Sequence, residues 1–189
     1  LLRSAGIGID LAAQIAAGRI QVRQVDPAEL SPGEFVQEVR RAVEQNGSRI
    51  LIIDSLNGYI NAMPQERYLL IQLHELFTYL GQQGVTTFLV VAQHGLVGDM
   101  QSPIDASYLA DTVILLRYFE ARGEIRQAIS VMKKRSGMHE RTIRELRIDK
   151  GGVHVGPPLS VFQGVLNGTA QYIGYTDLVS EQPDGRTSE

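Results

Sequence analysis

The sequence predicts an α/β fold whose mostly parallel sheet, flanked by helices, runs on into antiparallel edge strands and hairpins. Two observations carry this. Apolar runs such as "ILII" (50–53) and "TFLVV" (87–91) alternate with amphipathic helical stretches, the pattern of a parallel sheet covered by helices. After residue 95 the character changes: "HGLVGDMQSPIDASYLAD" reads as a long loop rich in Gly, Asp and Ser, and successive β-rich runs follow, separated by short turn signals at "ARGE", "RSGMHE" and "DKGG", which predict hairpins.

Taken in order, residues 1–18 read as broken helix, with Asp10 the N-cap of a short Ala-rich segment that Gly18 stops. "RIQVRQV" (19–25) alternates polar and apolar and predicts a strand. Ser31, Pro32 and Glu34 have the spacing of an N-cap, an N1 proline and a capping-box acid. The helix they open carries Phe35, Val36, Val39 and Val43 as one stripe and ends at Gly47. The "ILII" strand follows, then a loop after Asp54. Pro64 opens the longest helix, with Leu69, Leu70, Leu73, Leu76, Phe77 and Leu80 at helical spacing and Gly81 and Gly84 closing it. "VTTFLVVAQ" (85–93) is the next strand. Strands this apolar predict burial on both faces.

With 189 residues, 43% hydrophobic and 21% charged, the chain has the composition of a soluble globular protein. Its net charge of −3 argues against a dedicated nucleic-acid binder. It has no cysteine, which excludes disulfides, thiolate zinc sites and cysteine nucleophiles. No apolar run reaches the length of a membrane span, and a cytoplasmic location is expected. The expected organisation is one domain over 1–175 and a disordered polar tail over 176–189.

Two constellations carry chemistry. In open parallel sheets ligands sit beyond the carboxyl ends of the strands. Asp54, with Ser55 beside it, and Gln93 both follow apolar runs there. An acid so placed can act on Mg²⁺ or its water, and a polar residue on the neighbouring strand can sense a γ-phosphate; a turn or cap role is the competing reading. The second constellation is "ISVMKKRSGMHER". Strand alternation places Lys133 and Arg135 on one side, about 7 Å apart, with Lys134 opposite. Such a pair could grip a polyphosphate, against the alternative of a solvated basic hairpin end. His139 follows in the turn. The histidines show no metal-ligand spacing. None of the three lysines, Lys133, Lys134 and Lys150, follows a glycine, so the chain contains no Gly-Lys-Ser/Thr phosphate loop.

The stretches "RILIIDSLNGY", "TFLVVAQ", "DASYLADTVILLRYFEARGEIRQAISVMKKRSGMHERTIRELRI" and "GPPLSVFQGVLNG" resemble the KaiC-type ATPases of the RecA superfamily. The resemblance covers about residues 1–174. It implies a RecA-like fold, ATP and Mg²⁺ as cofactors, and Asp54 as the acid of the Walker B strand. It implies that the phosphate loop and a pair of catalytic glutamates precede Leu1. The chain is then the C-terminal portion of a single ATPase domain and, alone, is expected to hold no nucleotide tightly and to be inactive. Lys133 and Arg135 match the family's K-x-R pair, which reaches the γ-phosphate of a neighbouring subunit. The implied assembly is a hexameric ring with sites shared between subunits, and signalling proteins as partners. Some members phosphorylate themselves on a Ser-Thr pair; Ser107 stands at the serine, but Tyr108 replaces the threonine. The alternatives are a ring-forming scaffold or regulatory module with a degenerate site, and a nucleic-acid translocase, which the acidic balance disfavours.

Overall fold

The computed structural model describes residues 2–26, 30–61, 68–92 and 108–174. They fall into two compact units, one comprising Leu1–Gly95 with Met100–Asp111, the other Leu96–Asp99 with Thr112–Glu189.

The first unit begins with short helices α1 (Leu2–Gly6) and α2 (Leu11–Ala16); the Asp10 carboxylate caps α2 by accepting from the Ala13 amide at 2.9 Å. The strand expected over 19–25 does not form. Alternation supplies a face but not a partner strand, and Val22 is 67% exposed. Side chains instead hold the segment to α3 (Pro32–Glu44), through an Arg23–Glu38 ion pair of 2.6 Å, and to the turn after it, where the Asn46 side-chain amide donates to Gln21 at 3.4 Å. At the start of α3 the expected capping box is complete: the Glu34 amide donates to Ser31 Oγ, and the Ser31 amide donates to the Glu34 carboxylate.

Strand β1 (Ile50–Asp54) and strand β2 (Thr86–Val90) pair in parallel, in register from Ile50 against Thr86 to Asp54 against Val90. Between them lie α4 (Leu56–Asn61), where only a loop was expected, and α5 (Leu69–Gln82). Pro64 lies outside the described residues. A Schellman motif ends α5: the Val85 amide donates to the Leu80 carbonyl and the Gly84 amide to the Gly81 carbonyl, with Gly84 at φ 68°. Val39 and Val43 of α3 meet Leu76 and Leu80 of α5 and Leu51 of β1 in one core cluster. A second cluster joins Leu56 and Tyr59 of α4 to Leu69 and Leu73 of α5.

Burial on both faces of the parallel pair, expected from its apolar strands, does not occur. Alternation sends Ile50, Ile52, Phe88 and Val90 to the face opposite the helices, where they are 42–64% exposed. Within the first unit both long helices pack on the opposite side of the pair.

In the second unit the predicted hairpins form an antiparallel sheet in the order β3 (Thr112–Ala121), β4 (Glu124–Lys134), β5 (Arg144–Asp149), β6 (Gly152–Pro158). The β3–β4 turn is two residues, Arg122 and Gly123, at φ 56° and 73°. Positive φ at both positions is the type I′ geometry that matches strand twist. Phe119, Ala121 and Ala128 pack with Val165 of a short 3₁₀ turn, which lies between the two-residue strands β7 (Phe162–Gln163) and β8 (Gln171–Tyr172). No described helix is long and apolar enough to cross a membrane. The tail over 176–189 lies outside the described residues.

Candidate functional site

Asp54 is the last residue of β1, and its register partner, Val90, is the last of β2. The two carboxyl ends are therefore level, the position from which a parallel sheet presents side chains to a ligand. Asp54 is exposed and Ser55 half-buried; the peptide bond between them is cis. Leu56, 1% exposed, and Tyr59, 6% exposed, anchor the start of α4 in the core directly behind this turn.

The turn is tied to β2 by Asn57, which the sequence reading passed over. Asn57 is 7% exposed. Its side-chain amide donates to the Ala92 carbonyl at 2.9 Å, and its side-chain oxygen accepts from the Ala92 amide at 2.8 Å. One planar side chain thus holds the segment leaving β2 against the turn leaving β1. The signal was available as an amide three residues after the acid in "DSLN", but an isolated Asn in a loop reads equally well as a turn former. Gln93, next after Ala92, lies outside the described residues, as does Ser107; Tyr108, beside Ser107, is exposed and Leu109 packs against the second core cluster.

Lys133 sits on β4 opposite Val113, at the end of the sheet where β3 begins, and is half-buried. β4 ends at Lys134, so Arg135 lies one residue past the strand, and alternation does not set its direction as the sequence reading assumed. Lys134 is exposed and donates to the Met138 carbonyl at 3.3 Å, closing the loop in which half-buried His139 lies. An open cleft of this unit lies elsewhere, lined by Glu120, Arg122, Phe162, Thr169 and Tyr172, and it contains none of these residues.

Asp54 and Ser55 are hard oxygen donors suited to Mg²⁺ or its water shell. Among the described residues no three His, Asp or Glu side chains gather as a metal set, and a cation at Asp54 would have to take most of its ligands from water and phosphate.

Residues 5–160 match the KaiC ATPase family. The chain belongs to that family. It is 29% identical over 183 residues to the circadian clock protein KaiC3 of Synechocystis sp., covering 94% of this chain and 35% of that protein. It is 26% identical over 183 residues to the circadian clock oscillator protein KaiC of Prochlorococcus marinus, covering 95% of this chain and 36% of the relative. The chain therefore spans about a third of the length of the curated relatives it matches. A KaiC-like protein of the hyperthermophilic archaeon Pyrococcus horikoshii shares the fold with a TM-score of 0.68 and 25% identity, over 82% of this chain and 68% of that one. The fold of this KaiC-family chain is RecA-like, with a parallel α/β part and antiparallel strands, as its sequence predicted.

Proposed function

We propose that the protein to which this chain belongs binds and hydrolyses ATP, with Asp54 on the Mg²⁺ side of the nucleotide. The observation that carries the reading is the exposed Asp54 carboxylate at the level carboxyl ends of β1 and β2, its turn locked to β2 by Asn57. Mg²⁺, when bound, neutralises phosphate charge; Asp54 orients its water shell and Ser55 offers a further oxygen. Gln93, the residue after Ala92 in the sequence, is the candidate sensor of the γ-phosphate. Lys133 and Arg135, with His139 in the same loop, act on the nucleotide of an adjacent subunit as cations supplied in trans. The assembly is a closed ring, which family membership favours, and six is the expected number of subunits. Ser107 is the candidate phosphoacceptor, and Tyr108 in place of a second hydroxy-amino acid argues for one site rather than two.

The test uses the full-length protein. Asp54→Asn should abolish Mg²⁺-dependent turnover. Lys133→Ala and Arg135→Ala should lower it by roughly 10³-fold or more with nucleotide affinity retained. Mixing the Asp54→Asn and Arg135→Ala proteins should restore part of the activity, because some interfaces then carry both intact halves. Unchanged turnover in the Lys133 and Arg135 variants, or no recovery on mixing, overturns the trans role. The 189-residue chain alone should show no tight Mg²⁺-ATP binding by calorimetry, and incubation with ATP followed by mass spectrometry reads phosphorylation at Ser107.

A further inference from the structure

We infer that Arg117 and Ser130 form a binding site for a small oxyanion, a carboxylate or a phosphate, on the covered face of the four-stranded sheet. Arg117 stands opposite Ala128 in the β3–β4 register, and Ser130 stands opposite Leu115. The two are diagonal neighbours, roughly 7 Å apart between Cα atoms and within reach of a long side chain. Alternation puts Arg117 on the same face as Phe119 and Ala121, which are buried with Ala128 and Val165.

Both residues hold buried polar atoms without partners. Nε and Nη1 of Arg117 are shielded from solvent and bonded to nothing, and so is Oγ of Ser130, a residue 6% exposed. A guanidinium cannot shed its proton to relieve this. Leaving donors unpaired in an apolar setting is costly, more so for a charged group. The carboxylate that the register brings nearest on this face is Glu145, opposite Ala128, and it is already engaged: Arg126, itself paired with Glu124 at 2.8 Å, reaches its Oε1 at 3.3 Å. The β3–β4 pair therefore carries a cation and a hydroxyl on the same face as diagonal neighbours, with no hydrogen-bond partner for Arg117 Nε and Nη1 or Ser130 Oγ among the described residues.

An oxyanion meets this need better than water. It offers several acceptor oxygens on one centre, matches the planar fork of an arginine, accepts from the serine hydroxyl and cancels the charge. Arg117 is half-buried rather than sealed, so part of its side chain reaches solvent. The site stands independently of the Asp54 reading.

The test is NMR of the full chain, following the Arg117 Nε–H and the Ser130 amide during titration with inorganic phosphate or sodium acetate, with sodium chloride holding ionic strength constant. The site predicts saturable shifts at both groups with millimolar midpoints. Saturation by phosphate alone assigns the phosphate source, and saturation by acetate assigns the carboxylate. Ser130→Ala should weaken binding roughly three- to tenfold, the worth of one hydrogen bond to an anion, and Arg117→Lys should weaken it more, since a lysine lacks the fork. Shifts that are absent, or that track chloride equally, overturn the proposal and leave the pair hydrated. The wild-type titration decides this even if a variant fails to fold.

Discussion

Replacing Asn57 with alanine removes a side chain that ties the turn after β1 to the end of β2. Two hydrogen bonds of 2.9 and 2.8 Å are lost. At about 1 kcal/mol net for each, the loss is about 2 kcal/mol. Asn57 lies in the first turn of α4, where alanine is the better helix former by about 0.6 kcal/mol. The net expectation is about 1.5 kcal/mol of destabilisation, or a Tm lower by roughly 3–6 °C for a chain of this size. Asn57→Asp is the sharper perturbation. It keeps the acceptor for the Ala92 amide but sets a carboxylate oxygen against the Ala92 carbonyl, in a place only 7% exposed, and should cost more than alanine. Urea unfolding followed by circular dichroism measures both. An unfolding free energy for Asn57→Ala within about 0.5 kcal/mol of wild type, at unchanged slope, refutes the reasoning, as does an Asn57→Asp protein as stable as the parent.

Three further outcomes can be checked by the same unfolding measurement. Gly164 has φ 71°, and a Cβ built there would lie 2.5 Å from the Thr169 carbonyl oxygen, so Gly164→Ala should destabilise by at least about 1–2 kcal/mol from the backbone alone. Arg122 is a non-glycine residue at φ 56° in the type I′ turn, so Arg122→Asn, which gives the Asn-Gly pair that turn favours, should stabilise by about 0.5 kcal/mol. The Gly151 amide, and then His154, hold the Asp149 carboxyl below the ordinary aspartate range. A depressed folded value means stabilisation that is present at higher pH and lost as pH falls through it; the Tm of wild type and of Asp149→Asn should therefore converge below about pH 4.

Local rules predicted the parts of the fold that local chemistry decides. The capping box at Ser31, the stripe on α3, the glycine closing α5 and the two-residue turn at Arg122–Gly123 each depend on residues within a few positions of one another. What went astray depends on partners distant in sequence. Residues 19–25 have a strand's alternation but find no strand to pair with among the described residues, and the apolar residues of β1 and β2 predicted two buried faces where Ile50, Ile52, Phe88 and Val90 stay exposed. The candidate site divides the same way. Asp54 was legible because a carboxylate closing an apolar run is unusual anywhere in a chain. Asn57 was not, because its importance lies in an Ala92 backbone 35 residues away. Arg117 and Ser130 were equally silent, since strand register alone makes them neighbours.

The open face of β1 and β2 bears on how firmly Asp54 is held. Fully burying side chains like Ile50, Ile52, Phe88 and Val90 stabilises by about 1.5–3 kcal/mol each, and at 42–64% exposure roughly half of that is unrealised. Covering the face would add on the order of 3–6 kcal/mol, comparable to the lower end of a whole domain's stability. A contact of that size would act as a fastening on the two strands whose carboxyl ends carry the candidate site. The order of the acid and the covering of the sheet behind it are therefore thermodynamically linked: what masks these four side chains also steadies the carboxylate at the end of the strand.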